Sequence, residues 1–295
     1  MFGWTADEAA SFAVLDAYAA AGGNFVDTAD AYSAWAPGNS GGESETILGR
    51  WIKSRGARDR TVVATKVGKL PTLRGLSAKT IRAAADGSLK RLQTDRIDLY
   101  YAHADDPATP LEETLAAFDA LVRAGKVRAL GVSNYPAPRL EAALAIARRD
   151  GLARFAVVQD HHNLVHRSTY EGELAALCTR ERLAFLPYYA LAQGFLSGKY
   201  RAAAAGGAAS EVASPRSGGA RKYLDARGEQ LLERIDRIVA AHRTTPAAVA
   251  LAWLRAQPNV VAPIASARTS AQLAELLPMA TLQLSRDDIG SLTAA

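Results

Sequence analysis

Seven short apolar runs, rich in β-branched and aromatic residues, alternate with longer helical patterns, and this alternation leaves few architectures open. The runs are NFVDTA from Asn24, TVVATKV from Thr61, IDLYYAH from Ile97 and VRALGVS from Val127, then FAVVQD from Phe155, AFLPYY from Ala184 and VVAPIAS from Val260. Each is almost continuously hydrophobic, as parallel strands covered on both faces are. Between them, DEAASFAVLDAYAAAGG ends in a Gly-Gly stop, Ser77 stands as N-cap to SAKTIRAAADGSLKRL, and LEETLAAFDALVRAG carries acids in its first turn. In TTPAAVALAWLRAQP, Thr245 precedes Pro246 at the first helical position. Right-handed crossovers between parallel strands leave an open doubly wound sheet or a closed barrel. No strand is followed by GxGxxG, which counts against an open dinucleotide-binding sheet. The expected fold is therefore α/β, a (β/α)8 TIM-type barrel with seven of its eight strands readable, forming one domain over residues 1–295. Residues 202–219 (AAAAGGAASEVASPRSGG) lack an apolar period and read as a mobile loop.

Composition narrows the function. With 49% hydrophobic and 22% charged residues the chain has the balance of a folded enzyme. Its net charge of +5 is spread out, so no dense patch for a nucleic acid forms. No apolar run has the length of a membrane helix, and the start MFGWTADEAA lacks the regions of a signal peptide, so a cytoplasmic location is expected. The single cysteine, Cys178, lies in a helical pattern and reads as a small buried apolar residue.

The chemistry is concentrated at strand ends, where a parallel barrel gathers its active site. Asp27 ends the first run, Tyr32 follows it in DTADAY, Lys66 lies in ATKVG and His103 ends YYAH. A carbonyl that accepts hydride builds negative charge on oxygen and needs a proton. A tyrosine with an ordinary pKa near 10 supplies one poorly unless its phenolate is stabilised. A neighbouring lysine ammonium does that, an aspartate keeps the lysine charged, and a histidine can bind the substrate oxygen. Any one of the four alone has a plainer structural reading; all four in this order argue for catalysis.

The segments GGNFVDTADAY, VVATKVG, IDLYYAH, VRALGVSNY and LAQGFLSGKY resemble the signature segments of the aldo-keto reductase superfamily, from Phe2 to the final helix. The resemblance implies a catalytic tetrad of Asp27, Tyr32 (general acid), Lys66 and His103. It also implies NADPH/NADP+ as cofactor, with NADH second, and a small-molecule carbonyl substrate. Ser133, Asn134 and Gln159 match residues that hold the nicotinamide carboxamide, and Tyr188 the aromatic that stacks on its ring. Leu191, Gln193, Gly194, Leu196 and Lys199 fall in the segment that wraps the pyrophosphate. Ser266, Arg268 and Gln272 match the 2′-phosphate site, with Glu275 on the adenine side. Arg268 is the reason to prefer NADPH, because a guanidinium pairs well with phosphate. Trp35 is placed to contact substrate.

Against the family pattern, the amino-terminal hairpin and first barrel strand are expected to be missing, in line with the count of seven. Tyr189 and Ala190 replace a frequent Ser-Pro, QDHHNL replaces a more usual Pro-Glu-Tyr segment, and Leu276 stands where asparagine is common. His161, His162 and His166 lack the HExxH arrangement, so no metal site is expected. Two other functions compete: a nucleotide-binding regulatory or inactive relative, and a barrel enzyme forming a Schiff base on Lys66. The second leaves the nicotinamide positions unexplained.

Overall fold

The computed structural model describes residues 2–201 and 217–294, which fall into two compact units. The first comprises residues 1–159 with 180–184 and 266–270. It opens with α1 (Glu8–Ala20), capped by the Asp7 carboxylate, and continues through β1 (Phe25–Asp27) and α2 (Glu43–Arg55). Next come β2 (Val62–Val67), the hairpin β3 (Lys69–Leu70) and β4 (Leu73–Arg74), and α3 (Ala78–Leu92). Then follow β5 (Ile97–Ala102), α4 (Leu111–Arg123), β6 (Val127–Ser133), α5 (Ala137–Asp150) and β7 (Phe155–Gln159). The expected caps are present: Ser77 Oγ accepts from the Thr80 amide, and Glu112 and Glu113 occupy the first turn of α4.

Among the described residues one six-stranded sheet has the order β1-β2-β5-β6-β7-β8, where β8 is Ala184–Phe185. The pairs β1/β2, β2/β5, β5/β6 and β6/β7 are all parallel. Register follows from alternation: Ala64 lies beside Leu99, Leu99 beside Ala129, Tyr101 beside Gly131, and Gly131 beside Val157. Phe25, Ala64, Leu99, Tyr101, Ala129 and Val157 pack together on one face. Gly131 is needed there, because a Cβ would sit 2.5 Å from the Tyr101 ring. At the amino ends of β2 and β5, Arg58 donates to Thr94 Oγ1 and to the Thr61 and Arg96 carbonyls, and pairs with buried Asp98 at 2.8 Å. Asp98 Oδ2 also accepts the Val63 amide, so one ion pair ties two strands.

The second unit comprises residues 160–179, 185–265 and 271–295. It holds α6 (Glu173–Glu181) as far as Thr179, α7 (Ser217–Arg221), α8 (Ala226–His242), α9 (Pro246–Arg255), nearly all of α10 (Ser270–Leu276), and α11 (Arg286–Thr293). Trp253, Leu254, Ile235, Phe195 and Leu196 lie at the centre of its core. Thr245 caps α9 and Pro246 opens it, as the sequence implies, and Cys178 is buried.

Two expected strands come out shorter than read. The run from Ala184 is a strand only to Phe185, and the run from Val260 contributes a single parallel bridge, Phe185 to Val260. Pro187 and Pro263 have no N–H to give to a ladder. The two runs are still laced by Phe185 N–H to the Asn259 carbonyl (2.8 Å), Val261 N–H to the Phe185 carbonyl (3.1 Å) and Ile264 N–H to the Pro187 carbonyl (2.8 Å). Of the loop expected over 202–219, residues 202–216 lie outside the described residues, whereas Ser217–Gly219 are the first turn of α7.

Replacing Arg58 by alanine leaves Asp98 buried without its closest cation, which should destabilise the fold by ~3 kcal/mol. Chemical denaturation of the variant against the parent measures this, and a loss below ~1 kcal/mol would mean that Arg58 is not the clamp.

Candidate active site

Beyond the apolar layer, the same alternation that packs Phe25, Ala64, Leu99 and Val157 delivers a polar layer at the carboxyl ends of the strands. Asp27 is the last residue of β1, Lys66 the next-to-last of β2, Ser133 the last of β6 and Gln159 the last of β7. His103 follows β5, its amide donating to the Val67 carbonyl at 2.9 Å and extending the ladder.

Lys66 is fully buried and its side chain has three acceptors: Asp27 Oδ2 at 2.6 Å, the Thr28 carbonyl at 2.8 Å and Tyr32 Oη at 2.8 Å. Three acceptors match the three donors of an ammonium. Burial pulls its pKa below the ordinary lysine value, opposed mainly by the charge and hydrogen bond of Asp27. A fully engaged amine is a poor Schiff-base nucleophile, which counts against that alternative. Tyr32 Oη also donates to Asp27 Oδ2 at 3.3 Å, and Gln159 Nε2 donates to Asp27 Oδ1 at 2.8 Å.

His103 stands edge-to-face with Tyr32, ring centres 5.8 Å apart. Burial, then the charges of Lys66 and Lys69, hold its imidazole well below the ordinary histidine pKa. It is therefore neutral at physiological pH and keeps one N–H to donate. Asn134, in the left-handed conformation at φ 55°, donates to the His103 carbonyl at 3.0 Å and to Ser133 Oγ at 2.8 Å. The four tetrad candidates and Ser133, Asn134 and Gln159 are thus a single connected group in the first unit.

Over Tyr32 lies Trp35, 52% exposed, with ring centres 6.4 Å apart, and Trp4 meets Trp35 edge-on at 5.5 Å. This loop is held to the amino-terminal segment by Ser33 Oγ to the Phe2 carbonyl and Asn39 Nδ2 to the Gly3 carbonyl, both 2.8 Å. Sequence reasoning missed Trp4, whose only signal was its aromatic character.

In the second unit, Tyr188 is half-buried and stacks on His161 with ring centres 5.5 Å apart; His161 in turn stacks on His166 at 3.7 Å. Leu196 is a core residue, and half-buried Leu191 packs against the same core, so neither leaves its whole side chain for a ligand. Ala192, Gln193 and Gly194 are three consecutive residues with positive φ, a bend that folds the backbone back on itself. A Cβ on Gly194 would lie 3.0 Å from Lys199 Nζ, so the glycine keeps open a cradle beside the ammonium. That arrangement fits a phosphate group. Gln272 is half-buried and Glu275 exposed, the Glu275 carbonyl accepting from Thr245 Oγ1. Ser266 and Arg268 belong to the first unit, the serine exposed and the arginine half-buried.

A sequence model described as the aldo/keto reductase family matches residues 1–295. The chain is 32% identical to norsolorinic acid reductase A of Aspergillus parasiticus over 293 residues, covering 96% of this chain and 70% of that protein. It is 32% identical to the protein Tas of Escherichia coli over 327 residues, covering 99% of this chain and 91% of Tas. An aryl-alcohol dehydrogenase of Pestalotiopsis microspora is 30% identical over 292 residues, covering 95% of this chain and 70% of its own.

Changing Lys66 to methionine strands the Asp27 carboxylate and should cost ~3–5 kcal/mol of stability. Changing Asp27 to asparagine as well should recover part of that loss. A double-mutant cycle by denaturation is expected to give a coupling above ~1 kcal/mol, and additive losses would show that the pair is not coupled.

Proposed function

This chain belongs to the aldo/keto reductase family, and we propose that it reduces aldehydes or ketones to alcohols with NADPH, Tyr32 serving as general acid. The observation that carries the reading is the Lys66 ammonium held 2.8 Å from Tyr32 Oη by Asp27. A positive charge at that distance favours the phenolate, so the tyrosine gives up its proton more readily than a free phenol.

The bound nicotinamide supplies hydride chemistry at a carbonyl carbon. The chain's own residues manage the oxygen. As the C=O π electrons move onto oxygen, Tyr32 delivers its proton there and becomes a phenolate beside Lys66. His103, uncharged, donates a hydrogen bond to the same oxygen and sets its angle. Lys66 and Asp27 keep a fixed charge arrangement throughout, so no side chain must reorganise as charge develops.

The residues present suit the cofactor. Ser133, Asn134 and Gln159 offer the hydroxyl and amide groups that a carboxamide pairs with. The Gly194–Lys199 cradle suits a pyrophosphate, and the side chains of Arg268 and Ser266 have the chemistry a 2′-phosphate pairs with. Tyr188 offers a flat face for the nicotinamide and Glu275 an acceptor on the adenine side. On the substrate side, the Trp35 and Trp4 rings offer an apolar wall above Tyr32 that suits a flat aromatic carbonyl. The names of two relatives, an aryl-alcohol dehydrogenase and a norsolorinic acid reductase, agree with reductive or oxidative chemistry at alcohols and carbonyls.

The test is loss of NADPH absorbance with an aromatic aldehyde, run beside Tyr32→Phe. The variant should lose at least ~100-fold in kcat while NADPH still quenches the protein fluorescence with a similar Kd. Turnover within tenfold of the parent would remove Tyr32 as the acid. No turnover in either, with NADPH bound by both, would move the assignment to the nucleotide-binding regulatory role.

Arg268→Ala should raise the Kd for NADPH by ~10-fold or more and leave that for NADH nearly unchanged. Equal weakening of both, read by fluorescence titration, would take Arg268 out of the 2′-phosphate site.

A further inference from the structure

DTADAY carries a second carboxyl three residues after Asp27, and the tetrad does not use it. Asp30 is fully buried, and neither of its carboxyl oxygens has a hydrogen-bond partner among the described residues. Its amide donates to the Lys66 carbonyl at 3.2 Å, which fixes it on the strand that bears the lysine. Beside it, Glu45 of α2 is also fully buried, but well supplied: Thr65 Oγ1 donates at 2.6 Å and Arg91 Nε at 2.7 Å. The groups that act on Asp30 are Glu45, Arg91, its neighbour's amide at Ala31 and Lys66, and the buried Tyr100 phenol of β5 lies within reach of both carboxyls. Those that act on Lys66 are Asp27, Asp30 and Lys69.

We propose that Asp30 is a positioning residue for the Lys66–Tyr32 pair, a buried carboxyl whose charge sets how firmly Lys66 keeps its proton and hence the pH range over which Tyr32 stays an acid. The inference rests on the reductase reading above. Its ground is an asymmetry. Two buried carboxyls lie close enough to feel each other's charge, and the guanidinium of Arg91 and the hydroxyl of Thr65 both serve Glu45. Asp30 is left without a side-chain donor and, beyond the charges of Arg91 and Lys66, with only the Ala31 amide to oppose its burial. Burial first, then the Glu45 charge, push the Asp30 carboxyl up to about 7.

The consequence for catalysis has a definite sign. Below neutrality Asp30 is uncharged, Asp27 is the nearest counter-charge to Lys66, and the ammonium 2.8 Å from Tyr32 Oη favours a phenolate there to full effect. Above neutrality Asp30 ionises. Its negative charge favours the Lys66 ammonium and disfavours a phenolate on Tyr32. The tyrosine therefore holds its proton to higher pH than it otherwise would, and reduction persists further into the alkaline range.

The consequence for stability also has a definite sign. A carboxyl with a raised folded-state pKa contributes its stabilisation fully below its unfolded value near 4, and the contribution is lost as pH rises through about 7. Asp30→Asn, which has no charge to acquire, should gain in Tm relative to the parent between about pH 5 and pH 8.

The experiment pairs two readouts on the full chain. The first is the pH dependence of kcat/KM for NADPH-driven reduction of an aromatic aldehyde. In Asp30→Asn the alkaline limb should move to lower pH by at least ~0.5 unit. The second needs no turnover: carbon-13 labelled aspartate in the parent should show one carboxyl resonance titrating near neutrality, shifted to lower pH in Glu45→Gln. This holds even if Asp30→Asn fails to fold. An alkaline limb that coincides with the parent's, or aspartate resonances that all titrate below about pH 5.5, would overturn the proposal. Full turnover in Tyr32→Phe would sink the reductase reading instead, an outcome that the carboxyl titration cannot mimic.

Discussion

A lysine ammonium with no exposed surface is tenable only when its desolvation is offset, and the contacts of Lys66 show what the offset requires. Asp27, the Thr28 carbonyl and Tyr32 Oη take one N–H each, and only the first brings a full charge. Removing one acceptor leaves a buried donor unsatisfied, and removing Asp27 leaves a buried charge. The sheet register is bound to the same requirement. Because side chains alternate, slipping β2 by one residue against β1 would carry Lys66 to the opposite face, away from Asp27, and bring Thr65 in its place. Packing of Ala64, Leu99 and Val157 and pairing of Lys66 with Asp27 therefore select the same register, and each reinforces the other.

From that pair the roles of the neighbouring groups follow by environment more than by residue type. His103 is neutral because it is buried and because Lys66 is nearby. Asp27 and Asp30 are three residues apart and chemically identical, yet one accepts from an ammonium, a phenol and an amide side chain while the other has no side-chain donor. The same side chain is thus a counter-charge in one place and, in the other, a carboxyl that burial and the Glu45 charge push upward.

Local sequence carried most of the fold of the first unit, because five parallel strands there are unbroken apolar runs and the helix cap at Ser77 is a one-residue signal. It carried less of the second, where Pro187 and Pro263 interrupt runs whose hydrophobicity alone implies full strands. That Asp27, Tyr32, Lys66 and His103 come together was readable, since strand ends define where the polar layer lies. Asp30 and Glu45 were not, since nothing in DTADAY or ESETILG states that α2 and α3 bring Arg91 to one carboxyl and not to the other. Nor does a sequence state that Ala192 and Gln193 adopt positive φ, a conformation their side chains disfavour.

Several departures from ordinary local rules lie around the candidate site. A buried lysine, a carboxyl at Asp30 with no side-chain donor, a buried His103 Nδ1 without a partner among the described residues and a left-handed Asn134 lie within a few residues of the strand ends. Each one costs folding free energy that a hydrophobic or glycine substitute would not. Structure elsewhere must supply the difference, and the Arg58–Asp98 clamp at the opposite ends of β2 and β5 is the kind of support that does so. A scaffold selected for stability alone would fill the Asp30 position with an apolar side chain. Retaining a carboxyl there makes physical sense under the proposed mechanism, in which its charge acts on Lys66 of β2 and through it on Tyr32.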